Sequence, residues 1–161
     1  MFTNKKDDSV DEFWREFEET TGETVLAKSL GRYLNGQEER PTPLWGLTVV
    51  TSGGFRFRHF PKEPSIFGIP KLPASGKAPK DQSFFIPKET LVSIKLVLEK
   101  RWWKKLLASS FPRIIIHCQI DGTEKKVTIE VDHNAAVLAD ALNGFCPAGS
   151  LPAEENIAVA Q

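Results

Sequence analysis

The chain has 161 residues, 40% of them apolar and 26% charged, which suits one globular domain with a real core and excludes a disordered chain. Lysine plus arginine and aspartate plus glutamate each total 21, and this zero net charge argues against a dedicated nucleic-acid binder. No apolar run approaches the roughly 20 residues of a membrane-spanning helix. No signal peptide is visible, so a cytoplasmic protein is expected, with Cys118 and Cys146 as free thiols.

In chain order, residues 1–8 read as a polar tail and residues 9–21 as an amphipathic helix. Ser9 with Glu12 forms a capping-box pattern, and Val10, Phe13, Trp14 and Phe17 recur at helical spacing. Gly22 is the expected stop. That apolar stripe must dock, either on the protein's own core or in a partner groove. Val25 to Leu34 fits helix or strand equally, because Leu26, Leu30 and Leu34 are spaced by four. Residues 37–43 read as a loop. Leu44 to Val50 and Phe55 to His59 alternate around Ser52-Gly53-Gly54 and predict a hairpin.

Residues 61–83 form a long irregular segment rich in proline, with an apolar island at Ile66 and Phe67. Phe84 to Ile86 resumes strand character, and Pro87 marks an edge or a turn. Leu91 to Leu98 is a strand, with Ile94, Leu96 and Leu98 on one face. Arg113 to Asp132 reads as a hairpin about Asp121-Gly122, and Asn134 to Asn143 as a helix whose Leu138 and Leu142, with Phe145, face the sheet. The domain is expected to end near residue 146, and residues 147–161 read as a tail.

Chemistry-bearing constellations are sparse. His59, His117 and His133 are scattered, with His133 explained by a helix start. There is no metal-ligand spacing, nucleophile elbow or phosphate-cradling loop. No catalytic residue, metal or cofactor is therefore expected. The most unusual surface is Lys95 to Arg113. Lys95, Lys100, Arg101, Lys104, Lys105 and Arg113 stand against Glu99 and flank Trp102 and Trp103. Such a pattern suits anionic lipid headgroups, and it equally suits a solvated charged face. The first 23 residues carry eight acidic against three basic side chains, so the helix could cover that stretch. Phe13, Trp14, Phe17, Ile66 and Phe67 are the candidate protein-binding residues.

Three stretches carry a family resemblance. The first is Glu23-Thr24-Val25-Leu26 leading to the hairpin Leu47-Thr48-Val49 and Gly54-Phe55-Arg56-Phe57. The second is Phe85-Ile86-Pro87-Lys88-Glu89-Thr90-Leu91-Val92-Ser93-Ile94. The third is the final hairpin followed by a single helix. In this order they resemble the pleckstrin-homology (PH)-like superfamily, and within it the GRAM and bacterial PH-type domains, over residues 23–145.

The resemblance implies a mostly β, α+β fold: a bent seven-stranded antiparallel barrel closed by the C-terminal helix, with the N-terminal helix added. It also implies that residues 25–34 are the first strand and that the chain is a non-catalytic binding module. Its partner would be a protein or an anionic membrane surface, placing it in the cytoplasm or at the membrane periphery, with self-association left open. Glu38 and Glu39 oppose Arg40 where phosphoinositide-binding members carry a basic loop, so that lipid site is not expected. The alternative is a small ligand-binding barrel or enzyme with residues 61–83 as its lid.

Overall fold

The computed structural model describes residues 5–36, 44–59, 82–98 and 111–147. Helix α1 spans Lys5–Thr21. It begins before Ser9, so the capping-box serine lies inside the helix. Strands follow as β1 (Val25–Asn35), β2 (Leu44–Thr51), β3 (Gly54–His59), β4 (Phe84–Pro87), β5 (Leu91–Val97), β6 (Arg113–Ile120) and β7 (Thr123–Val131). Helix α2 is Ala135–Asn143. The ambiguous leucine segment is thus a strand.

The seven strands form one antiparallel sheet in the order β4-β3-β2-β1-β7-β6-β5. The fold is mostly β with two helices. The sheet is not closed into the expected barrel: β4 and β5 stand at opposite edges and share no ladder. Their local chemistry fits edge positions. β4 is only 4 residues long and ends at Pro87, which has no N–H to donate. β5 carries a bulge, since the register shifts between Leu91 and Ser93.

Ile94 and the partly buried Leu96 share the inner face as alternation predicts, and the bulge adds Leu91 to it. One extra residue turns Val92 outward and brings Leu91 and Ile94 to the same inner face, opposite Cys118 and Ile116. Leu98, placed with Ile94 by simple alternation, lies beyond the strand and is exposed.

The inner face holds the core. Tyr33, Phe55, Phe57, Ile86, Ile94, Ile114, Ile116, Val127 and Ile129 are buried there. Phe84 packs against the rings of Tyr33, Phe55 and Phe57, with centroids 5.5, 6.2 and 5.4 Å away. α2 lies across both halves of the sheet, against β5, β1, β2 and β6, with Leu138 and Leu142 fully buried.

The side of β1 that faces this core consists of Ala27, Ser29, Gly31 and Tyr33, so its leucines point outward. Gly31 sits opposite Gly46 in the β1–β2 ladder. A Cβ on Gly31 would lie 2.7 Å from Thr48 Cγ2 and 2.8 Å from the Glu130 carbonyl oxygen, so no side chain fits.

Candidate functional site

The junction between α1 and the sheet is built from Glu18 to Arg56. The helix ends at Gly22, whose N–H donates to Glu18 O at 2.8 Å. The Val25 N–H then donates to Glu18 Oε1 at 2.7 Å, fixing the return of the chain. Glu23 receives both ends of the Arg56 guanidinium, from Nε at 3.0 Å and Nη2 at 2.7 Å, and also the Thr51 hydroxyl. These hydrogen bonds, led by Arg56, hold the Glu23 carboxyl below its ordinary pKa, although its partial burial works the other way. Gly53 leaves the space this carboxylate occupies, since a Cβ there would meet Glu23 Oε1 at 2.3 Å. Phe85 covers the far side of Arg56 at 4.0 Å.

Anchored in this way, α1 lies over the outer face of β1 to β3. Phe13, Trp14 and Phe17 form one aromatic cluster, with Phe13 and Trp14 centroids 5.0 Å apart. Lys28 Nζ of β1 stands 4.0 Å from the Trp14 ring centre, and the Arg58 guanidinium of β3 stands 5.7 Å from that of Phe13. Val49, outside the inner core, is almost completely buried on this outer face, between Lys28 and Arg56. The docking is nevertheless partial. Phe13 keeps 38% of its surface exposed and Val10 keeps 53%. The helix does not dock on the core: Trp14 and Phe17 are half-buried outside the core cluster, Trp14 against Lys28 of the outer face, and Phe13 is shared between sheet and solvent.

A groove of about 490 Å³ opens beside α1, where the start of β1 meets the first turn of α2. Trp14, Leu26 and Val137 provide its apolar surface, and its charges are balanced, Asp11 and Glu18 against Arg15 and Lys28. Leu26 reaches it from the outer face that Lys28 and Leu30 also occupy, next to a second bulge marked by the register shift between Val25 and Ala27. Strand alternation places Leu26 on this outer face with Leu30, but nothing in the sequence brings it together with Val137 of α2.

A different cluster crosses the middle of the same outer face. Trp45, Arg32, Glu130 and Arg113 occupy cross-strand register on β2, β1, β7 and β6. The Glu130 side chain is only 6% exposed. It accepts from Arg32 Nε at 2.9 Å, from Arg32 Nη2, and from Arg113 Nε at 3.2 Å. Arg32 also lies 5.6 Å from the Trp45 ring centre. This row spans the β1–β7 ladder, whose four register pairs join the two halves of the sheet. Its groups satisfy one another, which makes it a structural clamp.

Among the basic-stretch candidates, Lys95 lies on β5 opposite Ile115. Lys100, Arg101, Trp102, Trp103, Lys104 and Lys105 lie outside the described residues, as do Ile66 and Phe67. The histidines are not brought together. His59 Nδ1 accepts the Gln82 N–H at 3.3 Å, and its own N–H donates to Ser83 Oγ at 3.0 Å, which ties the chain on either side of residues 60–81. His117 faces Glu124 at 3.6 Å. His133 Nδ1 lies 3.1 Å from Asp132 and does not cap α2; Asn134, in the left-handed region, holds that position without a side-chain bond. Among the described residues, no three His, Cys, Asp or Glu side chains converge to hold a metal. Both cysteines are free thiols, and burial pushes the Cys118 thiol up, with Lys125 partly offsetting it.

No family model matches the chain, and no curated protein matches it. Among solved structures it is similar to the hSac2 domain from human phosphoinositide phosphatase Sac2, at 8% identity and a TM-score of 0.46. That match covers 89% of this chain and 80% of the other. At this score and identity it assigns neither fold family nor activity. No described helix is long and apolar enough to cross a membrane.

Proposed function

We propose that this chain is a non-catalytic interaction module of the PH-like type, and that its partner is a protein. The PH-like part of the reading is supported by seven antiparallel strands followed by one helix that packs on both halves of the inner face. In this reading α2 plugs the open side of a strongly bent sheet, standing in for the missing hydrogen-bonded closure.

The observation that carries the binding function is the apolar surface left open around α1. Val10, Phe13, Leu26, Leu30 and Val137 are each between 38% and 54% exposed. They are not scattered. Leu30 lies in register with Leu47 and Arg58 beneath Phe13, while Leu26 and Val137 flank the groove on the other side of the helix. Large apolar side chains gathered around one element mark an interaction surface more often than single exposed leucines do. A photo-activated cross-linker at position 26 should capture a protein in cells that make this chain, whereas one at position 123, in the distant β6–β7 turn, should not. Equal capture at both positions, or none at 26, contradicts the reading.

A second reading, contact with an anionic membrane, is favoured by the other half of the outer face. Lys95, Arg113 and Lys126 point out from β5, β6 and β7 there, in the rows of Ile115, Glu130 and His117. Sedimentation with phosphatidylserine vesicles should then exceed sedimentation with neutral vesicles and fall as salt rises. Charge-independent sedimentation rules this reading out.

A further inference from the structure

We infer, building on the protein-partner reading, that the partner at this corner is a second copy of the chain, held by a two-fold contact around the groove. In such a contact each copy presents the same patch, so the patch must be complementary to itself. A surface of one charge sign repels its own copy, whereas one that carries both signs side by side attracts it. The groove meets that condition. Asp11, Trp14, Arg15 and Glu18 recur at i, i+3, i+4 and i+7 on one stripe of α1, and Lys28 of β1 lines the same groove. Two carboxylates thus stand beside two cations.

The stripe is available for that contact. Asp11 and Arg15 are exposed and stand one helical turn apart, yet among the described residues neither forms an ion pair. Glu18 accepts the Val25 N–H on one oxygen only. On an antiparallel copy of α1 the order of the stripe is reversed. Arg15 of each chain then meets a carboxylate of the other, Asp11 or Glu18, and the same pair repeats across the axis. Glu12, Glu16 and Glu19 recur on a different stripe of the helix and stay outside this contact. The rim adds an apolar contribution. Leu26 and Val137 are 47% and 54% exposed beside the buried Ala27 and Leu138, and the same rim on the second copy covers them. The chain has zero net charge, so no long-range repulsion opposes the approach of two copies.

The test is charge exchange in the full chain, read by analytical ultracentrifugation. Wild type should dimerise with a Kd below about 0.1 mM. Arg15→Glu leaves the stripe acidic and Asp11→Arg leaves it mostly basic, so each alone should weaken self-association about tenfold or more. Mixing the two variants should restore a dimer of one copy of each, because opposite signs then meet across the axis. Both positions are exposed, so the fold is retained, which circular dichroism checks. Val137→Ser, which leaves the charges alone, should weaken the wild-type dimer as well. Capture at position 26 should yield a species of twice the chain mass. A monomer at that concentration overturns the inference, and if position 26 still captures a different protein, the protein-partner reading stands. A monomer with no capture at 26 removes both. A dimer that all three variants leave unchanged lies on another face and overturns the groove assignment. Folded charge variants that weaken association and do not recover on mixing overturn the reciprocal contact.

Discussion

Replacing Glu130 with alanine tests the idea that a charged row on the outer face locks the two halves of the sheet together. The wild-type carboxylate is 6% exposed and receives two bonds from Arg32 and one from Arg113. Removing one partner of a fully buried pair costs about 3–5 kcal/mol, because a charge is stranded away from water. Here the stranded groups are the arginines, with side chains 30% and 52% exposed, so water recovers much of that loss. The expected cost is therefore about 2–3 kcal/mol, within the range for losing charge-assisted hydrogen bonds to one site. For a domain of this size that lowers Tm by roughly 5–10 °C.

Urea unfolding followed by circular dichroism measures the change. Arg113→Ala, removing the more exposed partner, should cost less than about 1 kcal/mol. A double-mutant cycle between Arg32 and Glu130 should return a coupling above about 1 kcal/mol. Stability of Glu130→Ala within about 0.5 kcal/mol of wild type, or no coupling in the cycle, refutes the clamp.

Acidification should probe the α1–β1 junction. Because the folded Glu23 pKa lies below its ordinary value of 4.5, the carboxylate's stabilisation is complete above that value and is lost as pH falls through it and toward the folded pKa. Wild type should therefore lose more stability than Glu23→Gln over that acid range, and parallel curves would show that the Arg56 contact contributes nothing. Gly53→Ala should weaken the same junction by about 1–3 kcal/mol, since its methyl group takes the carboxylate's place; a neutral result in urea unfolding would mean that Glu23 is free to move aside. A thiol-reactive disulfide reagent should modify Cys146 in the folded chain and reach Cys118 only on unfolding, because Cys118 is fully buried with a raised pKa. Fast reaction of both thiols would contradict that burial.

Much of the sheet was legible from alternation alone. The two hairpins, at Ser52-Gly53 and Asp121-Gly122, carry strong turn residues between period-two runs, and both are present. The closing helix was legible from Leu138 and Leu142. What escaped was wherever local geometry departs from a regular period. A bulge at Val92 added Leu91 to the inner face beside Ile94, and another interrupts β1 at Leu26, next to the groove. β1 was ambiguous because its leucines, spaced by four, lie on the outside. The informative signal was the small alternating set Ala27, Ser29 and Gly31, which lies buried on the inner face, with Thr48 and the Glu130 backbone close against Gly31. The candidate site was half legible. Phe13, Trp14 and Phe17 announced a docking helix, but the acidic residues beside them look like any solvated face until Lys28 is placed over Trp14.

The central claim is that a protein binds the corner made by α1, β1 and α2. Its most direct test is the affinity of the partner captured at position 26, once purified, measured by calorimetry against wild type and the triple variant Phe13→Ser, Leu26→Ser, Val137→Ser. All three positions are exposed, so the fold should persist. The account predicts a loss of at least about tenfold in affinity for the triple variant and no change for Lys95→Glu on the other half of the sheet. Unchanged affinity in the triple variant, with loss in Lys95→Glu, would contradict it.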